Sequence, residues 1–95
     1  MSAAINDRAA GAVLGRASGD ALGAGYEFGP ALPDDFEVRM AGGGGFGWAP
    51  GEWTDDTSMA IPLLEVAARG GRFDAAALDV VAQRWLEWSL SLIHI

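Results

Sequence analysis

The sequence predicts a helical chain, and three observations carry that prediction. Apolar residues recur at helical spacing in three segments, about 6–24, 56–69 and 74–89. Two of these segments are marked by capping residues, Gly70-Gly71 after the second and Asp74 before the third. Between the first and second lies a stretch over 25–53 that holds Pro30, Pro33, Pro50 and the run Gly42-Gly43-Gly44-Gly45 without a sustained period, and it reads as one long loop.

Asn6 is the expected N-cap of the first helix, with Val13, Ala17, Ala21 and Leu22 facing a core. Glycines at 11, 15, 19 and 23 fall four apart and so form a smooth ridge along it. Each glycine costs about 1 kcal/mol relative to alanine, so the ridge is expected to receive another backbone in close contact. In a membrane such a ridge would suggest a dimerising span, but Asp7, Arg8, Arg16 and Asp20 exclude that here.

The loop carries Tyr26, Phe28, Phe36, Phe46, Trp48 and Trp53, enough aromatic surface to expect it to pack on something. Its four consecutive glycines are not a phosphate loop, because the Gly-Lys-Ser/Thr ending and a preceding apolar strand are missing. They serve either as a flexible linker or as the lining of a ligand site.

In the second helix Met59, Ala60, Leu63, Leu64 and Ala67 mark the apolar face. Pro62 lies inside the pattern and removes a backbone donor, which predicts a kink or a tightened start. For the third helix Phe73 is placed to staple onto Leu78, and Leu78, Val81, Ala82, Trp85 and Leu86 form the expected buried stripe. The last six residues, 90–95, are apolar and uncapped and look like the start of a translated sequencing adapter. The domain is therefore expected over 1–89, with 90–95 foreign to it.

Composition excludes several classes of function. With 13 acidic against 6 basic side chains the net charge is -7, and no Lys/Arg cluster exists to neutralise nucleic-acid phosphates. There is no cysteine, hence no disulfide, thiolate nucleophile or Cys-based zinc site. The single histidine, His94, lies one residue from the end, which makes a Ser-His-Asp triad improbable. Neither a secretory signal nor an uncharged membrane span is present, so a cytoplasmic protein is expected.

The stretch Gly51-Glu52-Trp53-Thr54-Asp55-Asp56-Thr57-Ser58-Met59 concentrates the chemistry. Carboxylates and hydroxyls are hard oxygen donors of the kind that Mg²⁺, Mn²⁺ or Ca²⁺ takes, and a cation would relieve the repulsion between adjacent aspartates. The same residues also suit a helix start, with Asp55 or Asp56 as N-cap and the other acid favoured by the helix dipole. From these residues alone both readings stand.

Three blocks in order, Asp7-Arg8-Ala9-Ala10-Gly11, then Gly19-Asp20-Ala21-Leu22-Gly23 with Tyr26-Glu27-Phe28, then Thr54-Asp55-Asp56-Thr57-Ser58-Met59, resemble the N-terminal portion of the ADP-ribosylglycohydrolases. The resemblance covers nearly everything up to about Trp88. It implies an all-α fold in which the Thr-Asp-Asp block heads a helix and supplies half of a binuclear Mg²⁺ or Mn²⁺ site, with Thr54, Asp55 and Asp56 as metal ligands. It also implies that Glu27 lies near the metals and the scissile ribose, where it could orient or deprotonate a water; otherwise Glu27 is a surface residue after a helix end. Asp20 matches a family position and reads as architectural, and Gly42 to Gly47 would border the cleft.

The implied activity is hydrolysis of the N- or O-glycosidic bond of ADP-ribose on a modified protein or small molecule, a reaction that two metal ions can support without histidine or cysteine. Family members are longer and carry a second Asp-x-Asp block that has no counterpart here. The 95-residue chain is accordingly expected to be inactive and marginally folded. Two alternatives are a non-catalytic ADP-ribose-binding module and a small helical interaction domain.

Overall fold

The first helix begins a full turn before its apolar pattern does. In the computed structural model, which describes residues 2–92, α1 spans Ala3–Gly23 and a single 3-10 turn, Ala24–Tyr26, follows at once. The N-cap is Ser2 rather than Asn6: its Oγ accepts from the Ile5 N–H at 3.3 Å, and the Asn6 N–H donates to the Ser2 carbonyl at 3.0 Å. Ala3 and Ala4 are strong helix formers, so the helix extends upstream until it meets a hydroxyl able to satisfy its free donors.

The remaining helices are α2, Asp55–Ala68, and α3, Ala75–Ser91; no strand occurs among the described residues, so the fold is all-α. No helix is long and apolar enough to cross a membrane among those residues. Residues 93–95, and with them His94, lie outside the description. Contacts divide the chain into two units, one ending at Thr57 and the other starting at Ser58.

In the first unit, burial gathers at the end of α1. Ala21 and Ala24 are buried there, as are Thr54 and Thr57 from the head of α2. Of the expected core residues of α1, Ala17 is half-buried, while Val13 and Leu22 stay more than a third exposed. The glycine ridge is bare: a Cβ built at Gly11, Gly15, Gly19 or Gly23 meets nothing within 4 Å among the described residues. The close backbone partner expected from the sequence is therefore not found there.

Close approach occurs instead at Gly25. A side chain at Gly25 would strike the Gly42 carbonyl, and one at Gly44 would lie 2.7 Å from the Gly25 carbonyl. The Gly42 to Trp48 segment closes on itself, with the Gly43 N–H donating to the Trp48 carbonyl at 2.7 Å and the Trp48 N–H to the Gly43 carbonyl at 3.0 Å. Gly43 and Gly44 at φ 84 and 75 make this turn at little steric cost. The Tyr26 hydroxyl holds the next segment by donating to the Arg39 carbonyl at 3.1 Å and accepting from the Arg39 N–H at 3.2 Å, and the Phe36 ring meets Tyr26 edge-on at 5.9 Å. Phe46 contacts both Phe28 at 6.3 Å and Trp48 at 5.9 Å.

In the second unit, α2 ends as its two glycines predict. Gly70 takes φ 69, the Gly70 N–H donates to the Ala67 carbonyl and the Gly71 N–H to the Val66 carbonyl, the paired bonds of a Schellman cap. Helical assignment runs unbroken through Pro62, which is buried. Asp74 caps α3, accepting from the Ala77 N–H at 2.9 Å. α3 extends to Ser91, two residues beyond the expected end.

Two ties join α2 to α3. The Trp85 Nε1–H donates to the Met59 carbonyl at 2.7 Å, in the turn whose ladder Pro62 interrupts, and Arg84 forks onto Glu65 through Nη1–Oε2 and through Nη2–Oε1 at 3.1 Å. Of the expected stripe only Val81 is buried; Trp85 is half-buried, and Leu78 and Leu86 remain about half exposed. Helical period identifies an apolar face, but it does not say whether anything covers it.

Candidate functional site

The site is built where the last full turn of α1 meets the head of α2. Asp20 is half-buried and accepts four hydrogen bonds from two residues. Its Oδ2 takes the Thr54 N–H at 2.9 Å, the Thr57 N–H at 3.2 Å and the Thr57 hydroxyl at 2.6 Å, while Oδ1 takes the Thr54 hydroxyl at 2.6 Å. Thr54 and Thr57, at 3% and 6% exposure, are the buried polar residues among those described, and an unbonded hydroxyl there would cost about 1–3 kcal/mol.

The arrangement amounts to a capping box completed from another helix. In the ordinary box the third helical residue is Glu or Gln and reaches back to the N-cap N–H. Here that third position is Thr57, too short for the purpose, and Asp20 performs the task from α1. Thr54, immediately before α2, supplies the local cap: its Oγ1 accepts from the Asp56 N–H at 3.4 Å. Burial raises the Asp20 pKa, but the hydroxyl and N–H bonds from Thr54 and Thr57 together outweigh it and hold the carboxyl below its ordinary value.

Neither Asp55 nor Asp56 is therefore the cap that the sequence left open. Both are exposed, and among the described residues neither side chain makes a hydrogen bond or ion pair. The Arg16 Nη2 donates at 3.3 Å to the Asp56 backbone carbonyl. The donor set suits a hard divalent cation: two free carboxylates, and a Thr54 hydroxyl whose proton is committed to Asp20 while its oxygen keeps a lone pair. Among the described residues, however, no three His, Cys, Asp or Glu side chains gather into a cluster able to hold a metal.

Glu27 shares no hydrogen bond with Asp20 or Thr57 among the described residues. It is exposed, and no hydrogen bond among the described residues links it to Thr54, Asp55 or Asp56. With φ -61 and ψ 135 it occupies the first corner of a type II turn closed by the Gly29 N–H on the Tyr26 carbonyl at 3.1 Å. The second corner, a position that favours glycine, is Phe28 at φ 63. Sequence reasoning overlooked Thr57, although the absence of an acid at the third position of α2 was a signal that its donors needed an acceptor from elsewhere.

Comparison with known proteins completes the description. The chain is similar to the ADP-ribosylarginine hydrolase Tri1 of Pseudomonas putida (strain GB-1), 51% identical over 81 residues that make up 83% of this chain and 21% of that protein. It is 48% identical to the protein of the same description from Serratia proteamaculans (strain 568), over 83% of this chain and 21% of the relative. To the ADP-ribosyl-[dinitrogen reductase] glycohydrolase of Rhodospirillum rubrum it is 40% identical over 87% of this chain and 30% of that protein. The chain thus spans between a fifth and a third of the length of these relatives. No solved structure matches it. The family model described as ADP-ribosylglycohydrolase matches residues 1–92, and the chain belongs to that family.

Proposed function

We propose that the chain is the N-terminal portion of a binuclear Mg²⁺- or Mn²⁺-dependent cytoplasmic hydrolase that releases ADP-ribose from modified proteins or small molecules. The observation that carries this reading is the head of α2, where Asp20 and the Thr54 hydroxyl take up helix-end donors and leave two carboxylates free, with one lone pair remaining on the Thr54 hydroxyl. Thr54, Asp55 and Asp56 would hold the metal. Held there, divalent ions would supply Lewis acidity toward the ribose hydroxyls and a water. Glu27, carried on an exposed turn, would orient that water or accept its proton as the C1 glycosidic bond breaks.

Likeness to two ADP-ribosylarginine hydrolases makes an arginine-linked ADP-ribose the first substrate to test. The incomplete donor set and the share of its relatives that the chain spans support the further reading that these 95 residues alone do not turn over substrate. The test compares the 95-residue chain with the protein extended to the length of its relatives on an ADP-ribosylated arginine peptide. Release by the longer protein with Mn²⁺, abolished by chelator and absent for the chain alone, is expected. Chelator-resistant release, or turnover by the chain alone, would contradict the proposal.

A further inference from the structure

A helix that starts Thr-Asp-Asp-Thr has free N–H groups at its head, and the nearest carboxylates are drawn to them. In this chain those carboxylates belong to Asp55 and Asp56, yet neither is used. Asp20 instead collects the N–H groups of Thr54 and Thr57 at 2.9 and 3.2 Å and both hydroxyls at 2.6 Å. Asp55 and Asp56 are left unbonded among the described residues, and the one proton of the Thr54 hydroxyl is turned toward Asp20. A hydroxyl binds a cation through a lone pair with its proton directed elsewhere, so the acceptor of that proton decides where the lone pairs point.

We propose that Asp20 is a positioning residue for the cation ligands Thr54, Asp55 and Asp56, acting through the two threonines to orient the Thr54 hydroxyl and to keep both carboxylates free. This role goes beyond joining α1 to α2, and it rests on the cation-binding reading of the block. Outer-shell partners of this kind alter metal affinity without touching the metal. Asp20→Asn keeps the shape but exchanges an acceptor oxygen for a donor amide, so it cannot serve all four donors.

The test titrates the protein extended to the length of its relatives with Mn²⁺, reading the free ion by electron paramagnetic resonance and helix content by circular dichroism. Asp20→Asn is expected to weaken Mn²⁺ binding by about 10- to 100-fold. Asp74→Ala, which removes the cap of α3 and so lowers stability elsewhere, is expected to keep the wild-type affinity. Equal affinity in Asp20→Asn and wild type, or equal weakening in Asp20→Asn and Asp74→Ala, would overturn the assignment. Asp55→Asn separates the two readings: if it binds Mn²⁺ as the wild type does, or if the wild type binds none, the cation reading itself fails. Should Asp20→Asn lose its helices, Thr57→Val removes one of the four donors and leaves Thr54, Asp55 and Asp56 in place. Weaker binding in Thr57→Val supports the role of Asp20, and unchanged binding overturns it.

Discussion

Asp20 does the work of a capping residue for a helix whose head lies 34 residues further along the chain. Because its folded pKa lies below the ordinary 3.8, the folded state binds a proton less readily than the unfolded chain. Its contribution to stability is therefore complete above the ordinary value and is lost as pH falls through the folded one. In metal-free buffer the melting temperature of the wild type should fall more steeply below pH 4 than that of Asp20→Asn; parallel curves would contradict the four-bond description. Phe28 offers a second test at this scale. Its left-handed backbone costs about 1–3 kcal/mol, which Phe28→Gly relieves while adding about 1 kcal/mol of unfolded-state entropy. With the edge contact to Phe46, worth about 0.5–1.5 kcal/mol, also lost, stability should change by no more than about 1.5 kcal/mol, measured by denaturant melting. Neither residue's conformation could be read from local sequence, because Asp20 meets its partners only after folding and Phe28 occupies a corner that turn preferences assign to glycine.

At the scale of elements, legibility followed the range of the forces involved. The Asp74 cap and the Gly70-Gly71 stop depend on neighbours within a few residues, and both were visible in the sequence. The start of α1 was misplaced because alanine propensity carried the helix past Asn6 to Ser2. The glycine ridge was misjudged for the opposite reason, since a repeat records a smooth surface but not its occupant. As the ridge is bare here, Gly11→Ala and Gly15→Ala should each stabilise α1 by about 0.5–1 kcal/mol, seen as higher helicity by circular dichroism. A loss of helicity would show that the ridge is in contact after all. Between α2 and α3, Arg84→Lys removes the fork onto Glu65, and because both side chains are partly exposed the melting temperature should fall only slightly in a thermal melt.

For the whole molecule the balance between apolar surface and burial is the defining property. Leu14, Phe28 and Phe46 are 66%, 85% and 68% exposed, and the buried apolar residues named above are small or few. Such a chain should bind a hydrophobic dye and melt over a broad range; a sharp, dye-free transition would contradict this description. The helical fold and the position of the chemical block were both legible, since periodicity and motif order survive in a partial domain. The core was not, since apolar faces were expected to be covered and among the described residues they are largely open. What the structure added is the reason Asp55 and Asp56 are free, namely that Asp20 takes the Thr54 and Thr57 N–H groups and the Thr54 hydroxyl oxygen takes that of Asp56.

That freedom is the central claim, and a calorimetric titration with Mn²⁺ of the protein extended to the length of its relatives, for wild type, Asp55→Asn and Asp55→Ala, tests it most directly. The account predicts a binding heat in the wild type that falls sharply in Asp55→Asn, while Asp55→Ala keeps the melting temperature in metal-free buffer, because the proposed role of Asp55 is to hold the ion and its side chain caps nothing among the described residues. Unchanged Mn²⁺ binding in Asp55→Asn, together with a stability loss of about 1 kcal/mol in Asp55→Ala, would show Asp55 to be a helix cap and would contradict the account.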